Sequence, residues 1–178
     1  MTFNVCNFSK LRYIPDVSVG FGMTMQGKIR KSKSGLRGLT RLYAVQVMYR
    51  SEFEKKPMDK ILAEAKYDPK ILLSEEIFLN EIDAEFFTEL LTKTQNHRDE
   101  IDKLIEKNVA DNWEFSRFDK VMQALLRLGV CEIVFFKDVP ANVVFNEYIE
   151  IAKSFFKKGE VSFVNGILNS IFKQQKSV

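Results

Sequence analysis

Apolar side chains recur at intervals of three and four residues along most of the chain, which is the period of an amphipathic helix. Leu39, Tyr43 and Val47 lie on one such face near the start of the pattern. Ser34 is a suitable N-cap for this helix, and Pro57 ends it because proline lacks the amide donor. No segment shows the strict alternation of a half-buried strand, so the pattern predicts an all-α fold.

The same period predicts six more helices after the first. Their expected bounds are Met58–Lys66, Ser74–Thr92, His97–Lys107, Asp119–Phe136, 141–156 and Glu160–Phe172. The helix that follows Asp119 is apolar on nearly every side, which is typical of a buried central helix. Asp119 is its expected N-cap, and Ser74 is the expected N-cap of the third helix. Residues 1–33 show no such period, and we expect a flexible, basic N-terminal extension before a helical domain at 34–176.

Composition narrows the class of protein. The 178 residues are 46% hydrophobic, which is enough for the core of one domain, and no apolar stretch has the length of a membrane span. Cys6, Cys131 and His97 are too few for a disulfide framework or a Cys/His zinc site. Cys131 falls inside the apolar central helix, where a small buried thiol is expected. We expect a cytoplasmic protein that makes no contact with a membrane.

Charge is unevenly distributed along the chain. Residues 1–41 carry eight lysines and arginines against one acid, Asp16, whereas the remaining residues carry 19 bases and 23 acids. A basic amino-terminal block on a mildly acidic body often marks a nucleic-acid contact, although a solvated tail has the same composition.

The search for enzyme chemistry finds no candidate. The chain contains no glycine-rich phosphate loop and no G-x-S-x-G nucleophile elbow. His97 lies between polar residues and is expected at the surface without a catalytic role. We therefore predict a protein with no catalytic site, no metal site and no cofactor.

Three stretches together resemble a known family. They are RGLTRLYAVQVMY at 37–49, LRLGVCEI at 126–133, and the ordered motifs VP at 139–140, NE at 146–147, AKSF at 152–155 and FVNGIL at 163–168. In this order and spacing they are similar to the NusB family of transcription antitermination factors. The resemblance spans about residues 36–172.

The resemblance implies a non-enzymatic protein of about seven helices in two small packed bundles. It also implies binding to the boxA element of nascent ribosomal RNA transcripts, together with the ribosomal small-subunit protein NusE and the transcription elongation complex. Two other functions stay open, a helical protein–protein adaptor and a stand-alone NusB-like module without an antitermination role.

The predicted RNA contacts combine cations with aromatic rings. The cations are Lys28, Arg30, Lys31, Lys33, Arg37 and Arg41. Arg37 and Arg41 are four residues apart and project from one side of the first helix, so the hypothesis requires that neighbouring carboxylates leave both of them available. By family match, Tyr49, Phe155 and Phe163 are the candidate platforms on which unpaired bases stack.

Several positions depart from the family's pattern. Gly38 and Leu39 stand where charges are frequent, and Met122 and Gln123 replace an acid and a base. Lys157 and Lys158 replace small and acidic residues, and they could add to an RNA-facing surface. Asp119 and Glu132 are the candidate contacts to NusE.

Overall fold

The computed structural model describes residues 33–54, 56–67, 82–110 and 113–176. These residues form seven α-helices and one 3₁₀ turn, with no strand among them. The helices are α1 (Lys33–Glu54), α2 (Met58–Tyr67), α3 (Ala84–Asn96), α4 (Arg98–Glu106), α5 (Lys120–Phe135), α6 (Ala141–Phe155) and α7 (Lys158–Lys176), and the 3₁₀ turn is Phe115–Arg117. The predicted all-α fold is confirmed.

Most helix boundaries fall close to the prediction. The first helix begins one residue before Ser34. It ends before Pro57, because proline has no amide hydrogen to donate to the helix. Asp119 caps α5 as expected, since its Oδ1 accepts a hydrogen bond from the Val121 amide at 2.8 Å. At its C-terminal end α7 extends one turn beyond Phe172, and in this turn Gln174 Nε2 donates to Asn108 Oδ1 at 2.9 Å.

The third helix begins later than expected. Ser74 lies outside the described residues, and Ile82 is not helical. Asp83 is the observed N-cap, and its Oδ1 accepts from the Phe86 amide at 3.1 Å. The Asp83 amide donates to Thr40 Oγ1 at 2.9 Å, so a contact with α1 fixes where α3 starts. The helical period could not reveal this contact, because Thr40 and Asp83 are 43 positions apart.

The helices form two small bundles that share α5, as the resemblance implied. On one side α1, α2 and α3 pack together; on the other side α7 packs against both α6 and α4, and α4 also touches α3. Every residue of α5 from Val121 to Ile133 is buried, which fits its apolar circumference. Gly129 allows the close approach of α7, since a Cβ there would lie 3.1 Å from Leu168 Cδ2. A rigid central helix therefore positions the surfaces of both bundles.

Candidate nucleic-acid interface

Arg41 is enclosed where α1 meets α5 and α6. Its side chain is 2% exposed, and its Nε donates to Glu132 Oε1 at 3.2 Å and to Oε2 at 2.9 Å. The Nη2 atom also donates to Glu132 Oε1, and Nη1 lies 3.5 Å from Glu147 Oε2. Glu132 is itself fully buried. The prediction that Arg41 contacts RNA is wrong, because its guanidinium neutralises a buried carboxylate and cannot reach a phosphate.

The ion pair of Arg41 and Glu132 links α1 to α5. Burial on its own lowers the pKa of Arg41, but the hydrogen bonds and the charge of Glu132 leave that pKa raised. Each buried ion is tolerated because the other one neutralises it. The arginine of the opening helix is therefore a structural residue. Glu132 cannot be a contact to NusE for the same reason, so that prediction is also wrong.

Arg37 lies one turn before Arg41 and keeps 28% of its side chain exposed. Its Nε donates to Asp83 Oδ2 at 3.3 Å, and its Nη1 lies 4.0 Å from Asp138 Oδ2. Both arginines lie over the ring of Phe86, so they do share one side of α1. Carboxylates nevertheless contact both, and the predicted pair of available cations is not formed. A role for Arg37 alone stays a prediction.

Gly38 gives Glu147 access to Arg41. A Cβ at position 38 would lie 2.7 Å from Glu147 Oε2, so the bare glycine leaves the space that this carboxylate occupies. Burial raises the pKa of Glu147, Arg41 lowers it, and the neighbouring acids Glu132 and Glu150 raise it further, with a net upward shift. The ionised form of Glu147 is therefore disfavoured in the folded protein despite the nearby guanidinium.

This upward shift predicts how a neutral variant responds to pH. Below pH 4.5, the pKa of Glu147 in the unfolded chain, the residue is neutral in both states and contributes most to stability. This contribution falls as pH rises from there through the higher pKa that Glu147 has in the folded protein, because ionisation is then easier in the unfolded chain. Glu147→Gln stays neutral, so its melting temperature is expected to rise relative to wild type over this window. Thermal unfolding between about pH 4 and pH 7 measures the difference. Glu106→Gln, at an exposed position on α4 and not among the acids that shift the pKa of Glu147, is the control. A Glu147→Gln variant whose melting temperature falls relative to that of wild type as pH rises would contradict the prediction.

The other predicted contacts lie in different surroundings: one in the core, one at a helix cap, and most of the amino-terminal cations outside the described residues. Tyr49 is 8% exposed and belongs to the core, so its prediction as a stacking platform is wrong: no ring face is open to a base. Asp119 is partly exposed while it caps α5, and its proposed contact to NusE stays a prediction. Lys28, Arg30 and Lys31 lie outside the described residues, and Lys33 is the first residue of α1.

The turn between α6 and α7 carries the remaining predicted aromatic residues. Phe155 ends α6 and Phe163 lies on α7, and both are half-buried. Lys157 and Lys158 are exposed between them and form no ion pair with any described residue. We call these four residues the α6–α7 corner. It combines available cations with partly open rings, which is the combination that binds unpaired nucleic acid.

The predicted contacts do not converge on one spot. Arg37 reaches toward Asp138, just before α6 begins, whereas Phe155 is the last residue of that helix. A helix of the length of α6 is about 20 Å long. A nucleic acid that touched both places would therefore have to run along the protein for several nucleotides.

Two residues, one in the loop before α5 and one on α5 itself, have roles that the sequence pattern did not predict. Gln123 is buried, and its amide nitrogen donates to the carbonyls of Ser116 at 3.0 Å and Phe118 at 2.9 Å. It therefore fastens the 3₁₀ turn to α5 in place of the charge that the family usually has there. Trp113, the single tryptophan of the chain, is exposed at the start of this loop. A lone tryptophan in a polar stretch was the available signal for it.

The described residues offer neither a metal site nor a membrane span. No group of three His, Cys, Asp or Glu side chains there is placed to hold a metal ion. Across the same residues, every helix is too short or too polar to cross a bilayer. Cys131 is fully buried as predicted, and burial raises its pKa to about 12, so it is an unreactive thiol.

The sequence matches proteins of one family. The NusB family model covers residues 39–173. The transcription antitermination protein NusB of Caulobacter vibrioides is 37% identical over 138 residues, which cover 76% of this chain and 91% of the relative. The protein of the same name from Sphingopyxis alaskensis is 34% identical over 137 residues, which cover 77% of this chain and 92% of the relative.

Solved structures agree with the sequence matches. A crystal structure of the antitermination factors NusB and NusE in complex with dsRNA contains a similar chain, with a TM-score of 0.63, 27% identity, and coverage of 77% of this chain and 96% of that one. T. maritima NusB has a TM-score of 0.64 at 28% identity, and the match covers 82% of this chain and 93% of that one. The family match includes most of α1, all of α5 and α6, and most of α7. This chain therefore belongs to the NusB family.

Proposed function

We propose that this chain is a transcription antitermination factor that binds boxA RNA of nascent ribosomal RNA transcripts together with NusE. The observation that carries the proposal is the match to the NusB family over residues 39–173. The relatives from Caulobacter vibrioides and Sphingopyxis alaskensis are both named transcription antitermination protein NusB. The similarity to a chain solved with NusE and RNA supports the same partners. In this role the protein acts in the cytoplasm on the elongation complex as a binding factor, without catalysis.

On this chain, the α6–α7 corner is the better candidate for the main RNA contact. Lys157 and Lys158 are exposed without ionic partners among the described residues, whereas Arg41 is buried and Arg37 shares its charge with two carboxylates. Exposed lysines can displace counterions from a phosphate backbone, and half-open phenylalanine rings can stack on bases. Lys28, Arg30, Lys31 and Lys33 would extend this contact from the amino-terminal side.

The proposal is tested by binding of a fluorescein-labelled boxA oligoribonucleotide, measured by fluorescence anisotropy with and without NusE at two salt concentrations. Specific binding predicts a higher affinity for boxA than for a scrambled strand, a further gain with NusE, and a loss of affinity with salt. A duplex of the same sequence, as competitor, separates single-strand from double-strand recognition. If NusE binds equally well and neither RNA binds, the chain is a protein–protein adaptor and the proposal is wrong.

Charge removal at the α6–α7 corner gives a quantitative prediction. Lys157→Gln with Lys158→Gln removes two phosphate contacts, so the slope of log affinity against log salt is expected to become shallower by about 1.4. The matched control is Lys103→Gln with Lys107→Gln, two exposed lysines at α4 and its C-cap that change net charge equally. Equal slopes for the two double variants would show that the α6–α7 corner makes no phosphate contact.

A further inference from the structure

Trp113 lies at the edge of the α6–α7 corner. Trp113 and Val143 are the two large apolar side chains that the described part of the chain leaves exposed, at 38% and 40%. The centre of the Trp113 ring system lies 5.7 Å from that of Phe163, and the two planes are tilted by 32°. Trp113 therefore continues the ring surface of Phe163 toward solvent.

Buried phenylalanines support the indole from behind. Phe118 meets Trp113 edge-on at 5.8 Å and meets Phe163 in the same manner at 5.5 Å. Phe115 in turn packs edge-on against Phe118 at 5.6 Å. Both Phe115 and Phe118 are buried, so the exposed indole of Trp113 packs against side chains that belong to the core.

The backbone of this loop is also held in place. The Trp113 amide donates to the Ala110 carbonyl at 2.8 Å, and Gln123 holds the carbonyls of Ser116 and Phe118. A ring fixed in this way loses little freedom when a ligand stacks on it, which favours binding.

The surroundings of the two rings are polar and cationic. Arg117 and Lys158 are exposed and have no ionic partner among the described residues. The acids on the same two segments are the exposed Glu114 and the half-buried Glu160, whose carboxylate accepts a hydrogen bond from the Lys157 amide at 3.0 Å. Ser116 and Ser162 are exposed on the same two elements. The centre of a protein–protein interface is normally depleted of lysine and of acidic residues around its aromatic anchors. A small aromatic surface bordered by cations suits a nucleotide better than a protein partner, because the ring can stack on the base while a cation contacts the phosphate.

We propose that the Trp113 indole, next to Phe163, is a stacking platform for an unpaired base of single-stranded RNA. The inference rests on the proposed RNA-binding function and assigns a residue and a contact to it. Stacking uses the face of the ring and requires no particular base. Trp113 is therefore expected to add affinity with little sequence preference.

The single tryptophan makes the contact directly observable. Titration of the full chain with an unlabelled boxA oligoribonucleotide of about a dozen nucleotides is expected to quench Trp113 fluorescence in parallel with binding. NusE lacking RNA is titrated separately, using a NusE variant without tryptophan. Quenching by RNA supports the proposal. Quenching by NusE alone, with none added by RNA, would assign the surface to a protein partner and overturn the proposal.

Variants then separate this inference from the function on which it rests. Trp113→Leu keeps an apolar side chain without a ring and is expected to weaken RNA binding about tenfold, with an unchanged salt slope. Trp113→Phe keeps a ring and is expected to retain most of the affinity. Val143→Ala, the other exposed apolar site, is the control. If wild type binds RNA and Trp113→Leu binds it equally well, the inference fails while the function stands. If wild type binds no RNA, the function itself fails.

Discussion

Replacement of Arg41 by alanine is expected to destabilise the protein by about 3–5 kcal/mol, the loss typical when one member of a buried ion pair is removed. Glu132, fully buried, would be left without a cation at the centre of the fold. For a chain of this size, the melting temperature is expected to fall by roughly 2–4 °C for each kcal/mol. Thermal and denaturant unfolding, followed by circular dichroism, measure the loss.

Arg37→Ala is the matched control for this variant. It removes the same side chain one turn earlier on the same helix, where the guanidinium is partly exposed, so about 1 kcal/mol or less is expected. A combined Arg41→Met and Glu132→Met variant should recover most of the stability, because an apolar pair can replace a buried ion pair. Equal losses for Arg41→Ala and Arg37→Ala would contradict the structural role assigned to Arg41.

The fold was largely predictable from the pattern of apolar residues. The helical period located all seven helices, and the apolar circumference of α5 identified the buried centre. These features depend on residues close together in the sequence. The start of α3 was not predictable in this way, because its N-cap is positioned by Thr40 on a different helix.

The misassigned residues have a common physical cause. Arg41 and Glu132 were taken separately as surface charges, although a carboxylate inside an almost wholly apolar helix requires a cation beside it. Such a pair joins residues 91 positions apart, and helical periodicity carries no information about partners at that distance. The family motifs are thus partly structural: their arginines and acids assemble the fold as much as they form its surface.

The α6–α7 corner was predicted in part, for the converse reason. The family match indicated Phe155 and Phe163, and the departure at Lys157 and Lys158 indicated the added charge. These four residues are near one another in sequence, so they are near in space. Trp113 joins them through contacts between rings on different elements of the fold, directly with Phe163 and by way of Phe118.

Arg127, in the second family motif, has a structural role similar to that of Arg41. Its side chain is 5% exposed; Nε donates to Asp102 Oδ1 at 2.7 Å and Nη2 to Asp102 Oδ2 at 2.9 Å. Its Nη1 donates to Glu52 Oε1 at 3.0 Å. Glu52 belongs to α1 and Asp102 to α4, so this one guanidinium connects both bundles to α5. Its charge also lies 5.0 Å from the centre of the Phe115 ring, beneath the loop of Trp113.

We therefore expect Arg127→Ala to destabilise the fold by about 3–5 kcal/mol. Arg127→Lys should lose about 1.5–3 kcal/mol, because an ammonium cannot reproduce the two parallel bonds to Asp102. Arg98→Ala, which removes a partly exposed partner of Glu52, is the control and should lose about 1 kcal/mol or less. Denaturant unfolding is followed by circular dichroism and by Trp113 fluorescence. Because Arg127 joins the bundles, transitions that coincide in wild type should separate in Arg127→Ala. A variant as stable as Arg98→Ala would show that apolar packing alone holds the bundles together.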